Sequence, residues 1–124
     1  MWIQSPTLGG FSVVLADDLQ TRRPDPDTVM IRARDKRHLE RLQAAAPTLA
    51  GCEIVGPERG LDYPCRIVCA KEAFADAMRA IALDLAYRNV KNEAHRNAEE
   101  LGRPFVSALH SVHSDLARAQ PRTP

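Results

Sequence analysis

The sequence predicts an α+β domain: a four-stranded antiparallel sheet with two helices on one face, followed by C-terminal helices. Three observations predict it. Residues 28–34, TVMIRAR, alternate, with Val29, Ile31 and Ala33 on one face and Met30, Arg32 and Arg34 on the other. Residues 71–89 carry Phe74, Met78, Ile81 and Leu85 at helical steps, with no Gly or Pro between them. The segments follow the order ββαββα, which a permuted ferredoxin-like sandwich would give.

Taken in order, residues 10–15, GFSVVL, follow a Gly pair and read as a first strand. Residues 16–27 are polar with two prolines and read as a long, mobile loop. TVMIRAR is the second strand. It pairs antiparallel with GFSVVL, which then fills the place of the last strand in a standard ferredoxin-like sheet. Asp35 is placed to cap a helix over 36–46, whose stripe is Leu39, Leu42 and Ala46 and which Pro47 ends. Residues 52–55, CEIV, form a short third strand, 56–62 a turn, and 64–70, PCRIVCA, the fourth strand. The helix over 71–89 follows. Residues 90–102 are helix-friendly but polar, Gly102 is a helix stop, and Pro104 opens a last helix. Residues 1–119 make one α+β domain and 120–124 a disordered tail.

Composition narrows the function classes. A chain of 124 residues with 17 basic and 16 acidic side chains is near neutral. That argues against nucleic-acid binding over its whole surface. No apolar run reaches the roughly 18–20 residues of a membrane span, and MWIQSPTLGG has the features of no signal peptide. A cytoplasmic protein without membrane contact is expected. Cys65 and Cys69 stand about 13 Å apart on one strand face, too far for a shared zinc or a disulfide. They read as core thiols; Cys52, on a neighbouring strand, could approach one of them, but a cytosolic disulfide is not expected.

No catalytic set emerges. No serine lies in a nucleophile elbow, and neither a P-loop nor a dinucleotide fingerprint occurs. His110 and His113 share a helix face and, with His95 or Asp115, could bind a metal. That spacing is common by chance, so solvated or capping histidines are expected, with no metal and no cofactor. His38, beside Arg37 and Arg41, reads as surface.

The strongest charge feature is residues 32–41. Arg32, Arg34, Lys36, Arg37 and Arg41 against Asp35 and Glu40 give 5 − 2 = +3. If Val29, Ile31 and Ala33 face the helices, Arg32 and Arg34 line the open sheet face, joined by Arg66. Such a face could bind RNA, DNA or an acidic protein surface. Stacking rings are missing from TVMIRAR and PCRIVCA, which counts against base recognition. In the alternative, the last helices cover the face and its arginines pair with Glu93, Glu99 or Glu100. LAYRNVKNEAHR, 85–96, holds Tyr87, Asn89 and Lys91 and reads as a hinge or a contact site. Phe105, Leu109, Val112 and Leu116 form one more helical stripe. It packs on the domain or pairs two chains as a homodimer.

Several motifs run the length of the chain: Met1–Trp2, Gly10–Phe11–Ser12, Val29 to Arg34, His38–Leu39–Glu40, Asp62–Tyr63 to Arg66, Tyr87 to Glu93, and Leu109–His110 to His113. In these the chain resembles a set of small, functionally uncharacterised bacterial and phage-borne proteins. Their pattern is MW, GFFS, VRAR, HLE, DYxYR, YxNFKxE and LHxVW. Cys65 stands where that pattern has an aromatic, Val90 where it has Phe, and His113 where it has Trp. The resemblance implies one folded domain, carries over no catalytic residue, and singles out Tyr63, Tyr87, Asn89 and Lys91.

The leading expectation is a non-enzymatic binding module acting on a protein partner. An inhibitor or regulator such as an anti-CRISPR or other anti-defence protein is its specific form. The expected binding residues are Arg32, Arg34, Arg37, Arg41, Arg66, Tyr63, Tyr87, Asn89 and Lys91. Nucleic-acid binding through Arg32, Arg34 and Arg66 is the alternative. A small hydrolase or nuclease using Tyr63, Tyr87, Lys91 and His95 is the third.

Overall fold

A computed structural model describes residues 1–123. The elements are β1 (Trp2–Ser5), β2 (Gly9–Asp17), β3 (Pro24–Ala33), α1 (Lys36–Ala45), β4 (Cys65–Ala70), α2 (Lys71–Leu83), α3 (Val90–Arg96), α4 (Ala98–Leu101) and α5 (Arg103–Ala119). The fold is α+β with one four-stranded antiparallel sheet, in the order β1-β2-β3-β4. Helices α1 and α2 both pack on one face. Phe11, Val13, Val29, Ile31, Ala33, Cys65, Ile67 and Cys69 meet Leu39, Leu42, Phe74 and Ala77 there in one buried cluster. Removing such side chains from water is the main force holding the layers together. No helix among the described residues is long and apolar enough to cross a membrane.

The strand order differs from expectation at two places. The order is βββαβα, not ββαββα, and every strand neighbours the next in sequence rather than interleaving as in a ferredoxin-like sheet. Residues 52–55 form no strand. Val55 alone bridges Arg66, through N–H···O bonds of 2.9 and 3.0 Å. The Gln43 side-chain amide donates to the carbonyls of Leu49 and Cys52 at 3.0 and 2.6 Å. Gly56, at φ 106°, then turns the chain away beside Pro57, which has no N–H to extend a ladder. The fourth strand is Trp2–Ser5, on the opposite edge.

Other elements shift less. The loop expected over 16–27 shrinks to residues 18–23, because the strands run on to Asp17 and from Pro24. Asp18 orders this turn by accepting from the N–H groups of Gln20 and Thr21 at 2.8 and 2.9 Å, which holds its carboxyl below the usual range. Helix α2 stops at Leu83, so Leu85 of the expected stripe is exposed. Asn89 caps α3, accepting from the Asn92 N–H at 3.0 Å. Residues 84–89 are therefore the break between two helices. Gly102, at φ 93°, separates α4 from α5. Ala94, Leu101 and Val106 form a second, small buried cluster. Of the expected tail, residues 120–123 carry no regular structure and are exposed, and residue 124 lies outside the described residues.

His38 corrects a further expectation: it is buried, at 3% exposure, not a surface residue. Its Nδ1 accepts from the Gly10 N–H at 3.2 Å, and its Nε2 lies 2.8 Å from the Leu101 carbonyl. These partners fix the neutral tautomer with the proton on Nε2. The ring packs edge-on against Phe105, with centroids 4.7 Å apart.

Two predictions follow from these contacts. His38→Ala leaves the Leu101 carbonyl and the half-buried Gly10 N–H without their partner and opens a hole, a cost of about 2–4 kcal/mol in urea unfolding. Amide exchange should accelerate most in α4 and α5. Asp35, the α1 N-cap, accepts from the Arg37 N–H at 2.9 Å and pairs with its guanidinium at 2.7 Å. The Arg37 hydrogen bonds hold its carboxyl below the ordinary value of 3.8. Folding thus favours the ionised form. The contribution is complete above pH 3.8 and is lost as pH falls through the lowered folded-state value. Asp35→Ala should cost about 1 kcal/mol at neutral pH, and acid titration of both proteins should close that gap.

Candidate functional site

Because both helices cover one face, the other face of the sheet is left open around its centre. Alternation puts Gly10, Ser12 and Val14 of β2 on it, with Met30 and Arg32 of β3 and Arg66 and Val68 of β4. The register aligns Trp2, Ser12, Arg32 and Arg66 in one row across all four strands. Val14, Met30 and Val68 form the next row. The segment from Glu58 to Tyr63 folds back over the β3–β4 side. Together they enclose an open cavity of about 800 Å³ lined by Trp2, Ser12, Met30, Arg32, Arg34, Arg66 and Glu58, Leu61, Asp62 and Tyr63.

Each arginine is held differently. Arg32 donates from Nη2 to Ser12 Oγ at 2.7 Å, while its buried Nε finds no acceptor among the described residues. Tyr63 lies against two guanidiniums, 4.8 Å from Arg32 and 4.2 Å from Arg34 measured to the ring centroid. These are cation–π distances. Arg66 pairs with Glu58 at 3.0 Å. Trp2 flanks this group at 79% exposure, an indole with most of its surface in water.

The expected site residues therefore divide. Arg32, Arg34, Arg66 and Tyr63 come together. Arg37 and Arg41 do not line this cavity, although Arg37 shares a neighbouring cleft of about 500 Å³ with Arg34. Arg37 is held by Asp35, and Arg41 donates from Nε to the Thr7 carbonyl at 2.7 Å, bracing the turn after β1. Tyr87 lines a separate groove of about 440 Å³ between the ends of α1, α2 and α3. Asn89 is a helix cap, and Lys91 lines a third cleft with His110 and His113. Tyr63, Tyr87 and Lys91 thus line three different cavities. No residue of α3, α4 or α5 lines the cavity of Arg32, Arg34 and Arg66, although Arg34 also borders a cleft with Phe105 and Leu109 of α5. Glu93 and Glu99 pair with Arg96 and Arg103 of their own helices. Of the apolar stripe on α5, Phe105 and Leu109 are half-buried against the second cluster, leaving Val112 and Leu116 exposed.

The three thiols are core residues or half-buried, and burial pushes Cys65 and Cys69 up. That disfavours the reactive thiolate.

Sequence reasoning missed Trp2, Ser12, Glu58 and Leu61 as parts of this site. A signal for Ser12 was present, since pairing GFSVVL with TVMIRAR can set Ser12 opposite Arg32. Glu58 and Leu61 belong to a loop whose path no periodicity encodes. Comparison with protein-family models, with curated proteins and with solved structures finds no match.

Removing the Tyr63 ring should release both guanidiniums and the loop above them. Tyr63→Ala is expected to cost about 1–2 kcal/mol and to speed trypsin cleavage after Arg59, whereas Tyr63→Phe keeps the stack and the wild-type digestion rate.

Proposed function

We propose that this chain is a non-enzymatic binding module whose open sheet face docks an acidic segment of a protein partner. The row Trp2–Ser12–Arg32–Arg66, flanked by the Arg34–Tyr63 stack, carries the reading. Trp, Tyr and Arg are the residues in which binding hot spots are enriched. Here they are gathered in one concavity with exposed Leu61 and Val68 close by. Stacking on Tyr63 limits the freedom of Arg34 before anything binds, so less entropy is lost on docking. Guanidiniums in this setting favour bidentate carboxylates.

Charge separates this from nucleic-acid binding. Arg32, Arg34 and Arg66 share the cavity with Glu58 and Asp62, a balance of 3 − 2 = +1. A phosphate backbone is best met by cations without such carboxylates among them. One observation favours the alternative: Trp2 offers an exposed ring beside the arginine row, as a base-stacking platform would. The anti-defence form of the function rests on the resemblance and adds no residue to this face.

The test is comparative capture from lysate. Wild-type protein should retain a partner, whereas Trp2→Ala and Arg34→Ala, with unchanged circular dichroism, should each bind it about 30-fold more weakly. Parallel titrations with single- and double-stranded RNA and DNA across a salt series decide the alternative. Tight binding that collapses with salt would replace the protein-partner reading.

A further inference from the structure

Away from the arginine face, α3 and α5 bring two imidazoles together. His95 Nε2 and His110 Nε2 are 2.9 Å apart, and the ring centroids are separated by 4.8 Å at an interplanar angle of 42°. The pair comes from separate helices, 15 residues apart in sequence. His110 is half-buried, and His95 is exposed. The two Nε2 atoms face each other across the helix pair beside solvent, close enough for one shared proton or one shared ion to join them.

We infer that His95 and His110 form a binding site for a borderline divalent transition-metal ion, with Ni²⁺ or Cu²⁺ geometry preferred over Zn²⁺. The preference comes from the separation of the nitrogens. With metal–nitrogen bonds of about 2.0–2.1 Å, two ligands at a right angle stand about 2.9 Å apart, and two at the tetrahedral angle about 3.4 Å. The observed 2.9 Å matches the right angle of square-planar and octahedral coordination. For zinc the two nitrogens would have to stand about half an ångström further apart. Neutral imidazole is a natural ligand for these ions, and a poor one for Mg²⁺ or Ca²⁺.

Among the described residues no third His, Cys, Asp or Glu completes a larger set. Water therefore fills the remaining positions, and micromolar affinity is expected rather than that of a structural zinc centre. Lys91 and His113 line the cleft next to His110, and the positive charge of Lys91 also keeps the affinity modest. Binding would clamp α5 against α3, where Ala94 and Val106 already meet in the small second cluster. This inference is independent of the proposed partner.

Isothermal titration of the full chain with Ni²⁺ tests it. One ion should bind per chain, more tightly than Zn²⁺, with Mg²⁺ giving no heat. The thermal midpoint should rise by a few degrees with Ni²⁺. His95→Gln and His110→Gln should each weaken Ni²⁺ binding tenfold or more and abolish the thermal shift, while His113→Gln should change neither. Absence of Ni²⁺ binding at millimolar concentration overturns the inference. So does undiminished binding by His95→Gln, or a loss in His113→Gln equal to that in His110→Gln, which would place the ion on α5 alone.

Discussion

The buried ring of His38 is the joint on which the rest of the chain is hung. It stands on α1, takes a hydrogen bond from Gly10 on β2, and faces the Leu101 carbonyl at the end of α4. Phe11 and Phe105 close round it at centroid distances of 6.4 and 4.7 Å. The sheet core and the C-terminal helices are otherwise separate apolar clusters. His38 joins them through two hydrogen bonds and two edge-on aromatic contacts, alongside the hydrogen bond that the Asn97 amide donates to the Pro6 carbonyl at 3.1 Å. The backbone opposite is constrained in turn. A Cβ on Gly9 would lie 2.2 Å from His38 Cγ, and Gly9 holds φ 120°, so only glycine starts β2 here. A Cβ on Gly10 would come 2.8 Å from the Phe105 ring. The Gly pair is thus a requirement of close approach rather than of a turn alone.

That joint reaches the open sheet face through register. With β2 anchored at Gly9 and Gly10, Ser12 falls opposite Trp2 on one side and Arg32 on the other. A slip of one residue would send Ser12 into the core and Phe11 into solvent. The placement of Arg32 against Ser12 Oγ therefore depends on the same contacts that dock α4 and α5. The open face exists because α1 and α2 follow β3 and β4 onto the same side, leaving the opposite side to the short 58–63 segment and, at the Gly10 end, to Phe105 of α5.

Strong periodicity was legible, and partner-dependent structure was not. TVMIRAR and PCRIVCA declared which face each side chain takes, and so brought Arg32, Arg34 and Arg66 together. Asp35 announced its helix through a capping side chain at the right offset. WIQS offered only two apolar residues before Pro6, too few for a pattern, and becomes a strand because β2 presents an edge to it. CEIV has the composition of a strand, but Gln43 takes its carbonyl and Gly56–Pro57 ends its ladder after one bridge. His38 read as surface because its neighbours in sequence are charged. Its burial comes from Gly9, Leu101 and Phe105, which sequence distance conceals.

The open face is not what a sheet would carry for stability alone. Aliphatic and β-branched side chains suit an exposed pleat, yet the central row holds two arginines and an almost fully exposed tryptophan. Arg32 has an Nε that is buried without an acceptor, a cost of about 1–3 kcal/mol if nothing offsets it. The Arg66–Glu58 pair is part-exposed, where ion pairs contribute little. An indole at 79% exposure leaves most of its hydrophobic surface unused. Local violations of good packing and polar satisfaction gather at functional positions more than elsewhere. Here two of them, the unpaired Nε of Arg32 and the exposed indole of Trp2, fall in one row of one face. A carboxylate meeting the guanidiniums and an apolar side chain covering Trp2 would answer the unpaired donor and the exposed ring together.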